Sequence, residues 1–210
     1  MSDQKKQHII QTAITLFAEK GYEGTTIRDL AKRAKVNVAM VNYYFGSKEK
    51  LFEALVESRA GYMRNLLDEL KVNKTLSHFE KIEHIIFHYV NRILDNRAFF
   101  QVMQQEMLVS VRPELNRNIS EVLIKNVDEI VKIIHSGIRK KEFRKVDAQL
   151  TFASIIGTIQ QVVMSKSLCN RMLGLPETAD PFTQPRFKNR IRKHIHQMMQ
   201  THLLPHTLNP

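Results

Sequence analysis

The sequence of 210 residues contains little cysteine and little glycine, which many secreted proteins and many enzymes require. Its single cysteine, Cys169, excludes an internal disulfide and is typical of a reducing compartment. Seven glycines occur, and no phosphate-binding glycine loop, nucleophile elbow or HExxH motif is present. No apolar run approaches the roughly 20 residues that span a bilayer, and no apolar signal segment opens the chain. We therefore expect a cytoplasmic protein with no membrane contact and no catalytic residues.

Histidine is the only potential metal ligand that occurs in groups. His84 and His88 are four residues apart, and four more lie near the end of the sequence: His194, His196, His202 and His206. Zinc takes three or four ligands, and no cysteine or acidic cluster completes either group. We predict no metal site and no cofactor.

The net charge is +11, which favours a polyanionic partner. Residues 1–60 carry ten basic and seven acidic side chains, so only +3 of the excess falls there. Two basic clusters lie further along, at 139–145 and 186–193. They are either solvated helix surface or an additional surface for nucleic acid or an acidic partner.

Residues 26–45 have the pattern of two short helices joined by a tight turn. Thr26 can cap the first helix, and Asp29 resembles the return half of a capping box. Asn37 can cap the second helix, which we predict from Val38 to about Tyr44.

The 3.6-residue period gives the second of these helices two distinct sides. Val41 and Phe45 fall on one side, and the other side carries Val38, Ala39, Asn42 and Tyr43. A helix of two turns is not stable alone in water, so it requires a scaffold behind it. Its outward side is then available to contact the major groove, as in a helix-turn-helix.

Two segments in this region resemble a known family. The sequence FAEKGYEGTTIRDLA at 17–31, followed by YYFGSKEKLF at 43–52, is similar to the N-terminal domain of the TetR family of transcriptional regulators. The motifs occur in the family's order and spacing, and the resemblance covers about the first quarter of the chain. Lys35 stands where many members have glycine. We expect it to adopt a left-handed backbone at a cost of roughly 1 kcal/mol, unless the turn is of another type.

The resemblance implies which residues contact DNA. Asn42 can pair with an adenine edge, and Val38 or Ala39 can meet a thymine methyl group. Tyr43 and Tyr44 can donate hydroxyls to phosphates, although Tyr44 is as readily explained by packing. Lys48, at the start of the following helix, is the strongest candidate for a phosphate contact. The predicted DNA-binding set is Thr26, Arg28, Asn37, Val38, Ala39, Asn42, Tyr43, Tyr44 and Lys48.

The remaining chain reads as helical throughout, with no strand signal. Helices are predicted at 3–20, 48–70, 76–95, 97–109, 113–140, 147–172 and 187–204, with a proline-containing loop at 173–185. We therefore predict an all-α protein with two domains. Residues 1–47 form a three-helix DNA-binding domain, and residues 48–210 form a helical domain for ligand binding and dimerisation.

The resemblance also implies a ligand pocket and a dimer. The predicted pocket lining is Tyr62, Leu66, Tyr89, Phe99, Phe100, Met103, Gln104 and Met107, although ordinary helix core explains each residue equally well. Glu106 either offers a counter-charge to a cationic ligand or is solvated. The predicted dimer interface is Ala153, Ile156, Gly157, Ile159, Val163, Ile195 and Met199, for which monomer core is the alternative.

These features predict a ligand-responsive transcriptional regulator. The most favoured form is a homodimeric repressor that releases a palindromic double-stranded DNA operator when a small, largely apolar effector binds. One alternative is an architectural DNA-binding protein without an inducer. The other is a helical interaction protein that uses its basic C-terminal surface.

Overall fold

A computed structural model describes residues 2–109 and 112–205, and within these ranges every regular element is a helix. An all-α fold is thereby confirmed. The helices are α1 (Ser2–Lys20), α2 (Ile27–Arg33), α3 (Val38–Phe45), α4 (Lys48–Val72), α5 (His78–Asp95), α6 (Arg97–Val109), α7 (Pro113–Arg139), α8 (Ala148–Met164), α9 (Lys166–Met172) and α10 (Pro185–Leu203). None of these helices combines the length and apolar character needed to cross a membrane.

The short helices begin where their caps predict. The Thr26 side chain accepts from the Asp29 backbone N–H at 3.0 Å, and an Asp29 carboxylate oxygen accepts from the Thr26 N–H at 3.3 Å, which completes a capping box. Asn37 Oδ1 accepts from the Met40 N–H at 2.7 Å at the start of α3. These bonds satisfy N–H groups that a helix cannot pair internally.

One predicted helix is wrong in its extent. The segment 147–172 is two helices, because Ser165 adopts an extended backbone between α8 and α9. The Ser165 hydroxyl then accepts from the Leu168 N–H at 3.2 Å and caps α9. The apolar periodicity continues through the break, so it gave no sign of an interruption. The other predicted helices agree with the structure to within two residues at each end.

The described residues divide into two compact units. The first comprises those within 1–62 and 98–124, and the second those within 63–97 and 125–210. The helix-turn-helix, α6 from residue 98 onward and the first part of α7 thus belong to one unit. The proposed domain boundary at residue 47 stays a prediction.

An apolar core of the first unit is built from α1 to α4, α6 and α7. Phe17, Tyr22 and Phe52 form its aromatic centre, with ring centroids 5.2–5.5 Å apart. The α6 ring of Phe99 lies 5.6 Å from that of Phe52. Further buried residues from the later helices are Val102, Met103, Leu115 and Ile119. The core beneath the helix-turn-helix therefore depends on residues more than 50 positions away in sequence.

In the second unit α5 packs against α8 and α10, and α8 contacts α9 and α10. Buried aliphatic residues of the three long helices form its core, among them Ile82, Ile85, Ile155, Ile159 and Ile195. Asn170 on α9 is fully buried, and its amide donates to the carbonyls of Pro176, Glu177 and Ala179. That side chain fixes the proline-containing loop before α10.

The backbone at Lys35 is left-handed, with φ 54°, as the sequence predicts. We expect Lys35→Gly to raise the free energy of unfolding by about 0.5–1 kcal/mol, because relief of side-chain strain outweighs the entropy that glycine adds to the unfolded chain. Thermal unfolding followed by circular dichroism measures the change. The control is Lys32→Gly inside α2, which should lower stability by a similar amount. Destabilisation by both variants would contradict the expected strain.

Candidate nucleic-acid interface

Helix α3 presents one buried and one exposed side. Val41 and Phe45 are buried in the core of the first unit. Val38, Ala39, Asn42 and Tyr43 are exposed on the other side, and Tyr43 is 84% accessible. The two sides are those that the helical period predicts. The exposed side offers an amide, a hydroxyl and two small apolar groups, which is the chemistry that reads base edges.

The start of α2 contributes two more of the predicted residues. Thr26 and Arg28 are exposed there, as is Asn37 at the start of α3. Beside them, the Thr26 hydroxyl donates to the Asp29 carboxylate at 2.8 Å, and this bond holds the pKa of Asp29 below its ordinary value. Arg33 forms a two-bond ion pair with Glu19 at 2.9 and 3.1 Å, which links α2 to α1.

Tyr44 lies between the two sides of α3. Its ring is partly buried against the core of the first unit and lies 5.4 Å from the Tyr43 ring and 6.2 Å from the Phe45 ring. Packing therefore accounts for most of its environment, and its predicted phosphate contact stays a prediction.

Lys48 already has partners within the protein. Its ammonium donates to the carbonyls of Tyr22 and Thr25 at 3.1 and 3.3 Å, lies 4.3 Å from the centroid of the Tyr22 ring, and is 3.9 Å from the Glu23 carboxylate. Lys48 thus stabilises the turn before α2. A phosphate contact by the same ammonium stays a prediction.

The residues predicted to line a ligand pocket occupy different environments. Phe99 and Met103 are buried in the core of the first unit, and Phe100 and Met107 are partly buried against it. In that unit Tyr62 is exposed and Gln104 is half-buried. In the second unit Leu66 is half-buried, and the Tyr89 ring lies 6.0 Å from that of Phe152. Burial raises the pKa of Tyr89. The pocket lining stays a prediction.

Glu106 is not solvated, contrary to one of its two sequence-based interpretations. It is 9% exposed, and an oxygen of its carboxylate accepts from Arg112 Nη1 at 2.7 Å. Burial raises the pKa of this carboxyl group. The sequence gave no indication of Arg112 as its partner.

Part of the predicted dimer interface belongs to the interior of the chain. Ile159, Val163, Ile195 and Met199 are buried within the second unit, so a partner cannot reach them without repacking. We therefore assign these four residues to the core. Ala153 and Gly157 are exposed on α8, and Ile156 is half-exposed. Helices α8 and α9 carry further exposed apolar side chains, which the periodicity did not single out: Leu150, Met164, Leu168 and Met172.

No group of three or more His, Cys, Asp or Glu side chains in the described parts of the chain could hold a metal ion. His196 pairs with Glu83 at 2.7 Å, and His202 lies 3.0 Å from the Thr151 hydroxyl. His206 lies outside the described residues.

Two family models match the chain. "Bacterial regulatory proteins, tetR family" matches residues 9–55, and "YsiA-like protein, C-terminal region" matches residues 59–185. Together they cover most of the sequence, including the helix-turn-helix and the regions of α5 to α9.

Curated relatives and solved structures agree with these models. The chain is 33% identical over 145 residues to the "Probable HTH-type transcriptional regulator YttP" of Bacillus subtilis, which covers 68% of this chain and 69% of that protein. It is 30% identical over 131 residues to the "Biofilm operon icaADBC HTH-type negative transcriptional regulator IcaR" of Staphylococcus aureus. That match covers 59% of this chain and 70% of IcaR. The regulator FadR of Bacillus subtilis, solved in complex with stearoyl-CoA, has the same fold, with a TM-score of 0.70 and 22% sequence identity. The match covers 90% of this chain and 96% of the FadR chain.

Lys48→Met tests the two roles of Lys48 separately. Loss of its hydrogen bonds should lower the free energy of unfolding by about 1–2 kcal/mol. If the ammonium also contacts a phosphate, binding to every DNA sequence weakens, and the slope of log K against log salt falls by about 0.9. Calorimetry and fluorescence anisotropy at several salt concentrations measure the two effects.

The matched control is Lys50→Met, which removes an equal charge from an exposed position two residues away on α4. Loss of stability with an unchanged salt slope would restrict Lys48 to its structural role.

Proposed function

Because the chain belongs to the TetR family of bacterial regulatory proteins, we propose that it is a ligand-responsive repressor that releases a palindromic operator when a small, largely apolar molecule binds. The observation that carries the DNA-binding part is the exposed side of α3, held on a two-turn helix by Val41 and Phe45. Repression is supported by the likeness to IcaR, whose name describes a negative regulator.

In this proposal α3 enters the major groove and α2 lies along the backbone. Asn42 makes paired hydrogen bonds to an adenine edge, and Val38 and Ala39 pack on thymine methyl groups. Tyr43 and Thr26 contact phosphates, which set the register of α3 without reading sequence. Arg28, Asn37, Tyr44 and Lys48 complete the proposed contacts.

A homodimer supplies the second α3 that a palindrome requires. Two recognition helices one DNA turn apart read two half-sites, and their linkage multiplies affinity. The exposed surface of α8 and α9 supports this proposal, since Leu150 is 65% exposed and Ala153 and Gly157 permit close approach of another helix. We define the α8–α9 surface as Leu150, Ala153, Gly157, Met164, Leu168 and Met172.

The proposed effector is an apolar molecule in the region 48–140. The solved FadR complex suggests long-chain acyl thioesters as the first class to test. Helix α4 contributes residues to both units, so a ligand that favours one position of α4 can change the spacing of the two α3 helices. For this the effector must bind the two states with different affinities.

Selection of bound fragments from random DNA at two salt concentrations should yield a palindrome that survives the higher salt. On that palindrome, Asn42→Ala should lower specific binding by roughly 1–3 kcal/mol and relax selectivity at one position, because a base-edge contact is lost. The control, Asn189→Ala, removes an exposed asparagine from α10 and should leave binding unchanged.

Sequence-blind binding that disappears with salt would contradict specific recognition and favour the interaction-protein alternative. Stearoyl-CoA is the first effector probe, and it should release the selected palindrome from the wild-type protein. No release by any acyl thioester or free fatty acid would contradict this effector class.

Gly157→Arg should give a monomer and lower operator affinity at least 100-fold, because a bulky cation at the α8–α9 surface separates the two copies. A Cβ at Gly157 meets nothing within 4 Å in the single chain, so the larger side chain begins in open space. Sedimentation equilibrium measures the oligomeric state. Gly61→Arg is the control, since this helical glycine on α4 also faces open space. A dimer that persists in Gly157→Arg would exclude the proposed interface.

A further inference from the structure

A cluster of charged residues surrounds the Tyr22 ring in the first unit. Tyr22 lies in the turn between α1 and α2, stacks on Phe17 and is almost fully buried. Two cations contact the ring: Lys48 Nζ at 4.3 Å and the Arg112 guanidinium carbon at 4.5 Å from its centroid. Two cations at one ring repel each other, so their proximity requires nearby negative charge.

Glu23 and Glu106 supply that charge through Arg112. Arg112 Nη1 donates to the Glu106 carboxylate on α6 at 2.7 Å, and Nη2 donates to the Glu23 carboxylate in the turn. Glu23 also lies 3.9 Å from Lys48. Because the guanidinium is a rigid planar fork, one side chain joins α6 to the turn before α2 with fixed geometry.

The turn held by this cluster determines where α2 begins. A Cβ at Gly24 would lie 2.3 Å from the Lys20 carbonyl oxygen, so the backbone is tightly folded there. The buried Thr25 hydroxyl donates to the Gly21 carbonyl at 2.8 Å, and Lys48 donates to the Tyr22 and Thr25 carbonyls. The next residue, Thr26, caps α2. A loosened turn therefore loosens the start of the helix-turn-helix.

Arg112 thus forms a bridge between Glu106 and Glu23, and the two ends of this bridge differ in their exposure to water. Glu106 is 9% exposed, so separation from Arg112 would leave a buried carboxylate without its partner, which is costly. The Glu23 side chain is 71% exposed, so its bond to Arg112 can open with water replacing the lost partner. A displacement of α6 would therefore separate Arg112 from Glu23 at lower cost than from Glu106.

We propose that Arg112 is a positioning residue that couples α6 to the turn before α2, with Glu106 as its fixed partner and Glu23 as its releasable one. The proposal rests on the proposed function, in which a ligand displaces helices of the 48–140 region. The bridge is a second connection between the ligand region and the helix-turn-helix, in addition to α4. It acts on α2 directly, whereas α4 acts through its own start. Arg112 need not touch DNA or the effector.

Hydrogen–deuterium exchange of the full-length protein without DNA tests the bridge. Glu23→Gln and Arg112→Lys should each raise the exchange rates of the backbone amides of residues 21–28 by about three- to tenfold, because the turn opens more often. Glu106→Leu should also raise the exchange rates at residues 21–28, because it removes the partner of Arg112 on α6. The control is Glu121→Gln on α7, an exposed carboxylate whose loss changes the net charge equally. Unchanged exchange at 21–28 in Glu23→Gln overturns the proposal, whatever happens to the fold of the other variants.

DNA affinity provides a second measurement, because the bridge and the loss of charge change it in opposite directions. Loss of an acidic charge should by itself strengthen binding to all DNA. If the bridge positions α2, Glu23→Gln instead weakens binding to the selected palindrome by about three- to tenfold while leaving random-sequence binding equal or stronger. Equal strengthening on both DNAs would overturn the positioning role. A wild-type protein that selects no palindrome would refute the proposed function, whereas the exchange result would still decide the bridge.

Discussion

The burial of Val41 and Phe45 is the interaction on which the proposed function depends. A helix of eight residues has no stability of its own, so its exposed side chains keep their register only while that buried side is packed. Burial of a side chain of this size contributes roughly 1.5–3 kcal/mol, a large share of the stability of a small domain. The position of the exposed side of α3 therefore depends on the packing of the core beneath it.

That core is not confined to the helices that resemble a DNA-binding domain. Phe99 and Met103 on α6 are buried in it, and both belong to the predicted ligand lining. Close-packed interiors respond to displacement by changing between discrete arrangements rather than by yielding gradually. If these α6 residues line an effector site, as proposed, the same side chains support α3, and occupation of that site would disturb the core under the recognition helix directly.

The features that the sequence predicted well are local. The caps at Thr26 and Asn37 and the strained backbone at Lys35 involve residues within three positions of each other, so their signals are adjacent in sequence. The break at Ser165 was missed because the apolar period continues across it. Periodicity also identifies an apolar side without saying what covers it, and so buried residues such as Ile159 were assigned to a dimer interface. The bond between Glu23 and Arg112 joins positions 89 residues apart, and no spacing rule anticipates it.

The charge distribution bears on where DNA affinity can originate. Residues 1–60 carry a net charge of only +3, and the Lys48 ammonium already contacts two carbonyls and an aromatic ring within the protein. Non-specific binding grows with the number of phosphates neutralised, so a single helix-turn-helix of this composition attracts DNA weakly. In the proposed function, specific affinity then comes from base contacts and from the pairing of two chains. A second copy doubles the contacts at little additional entropic cost, and the exposed apolar α8–α9 surface is where we propose that it packs.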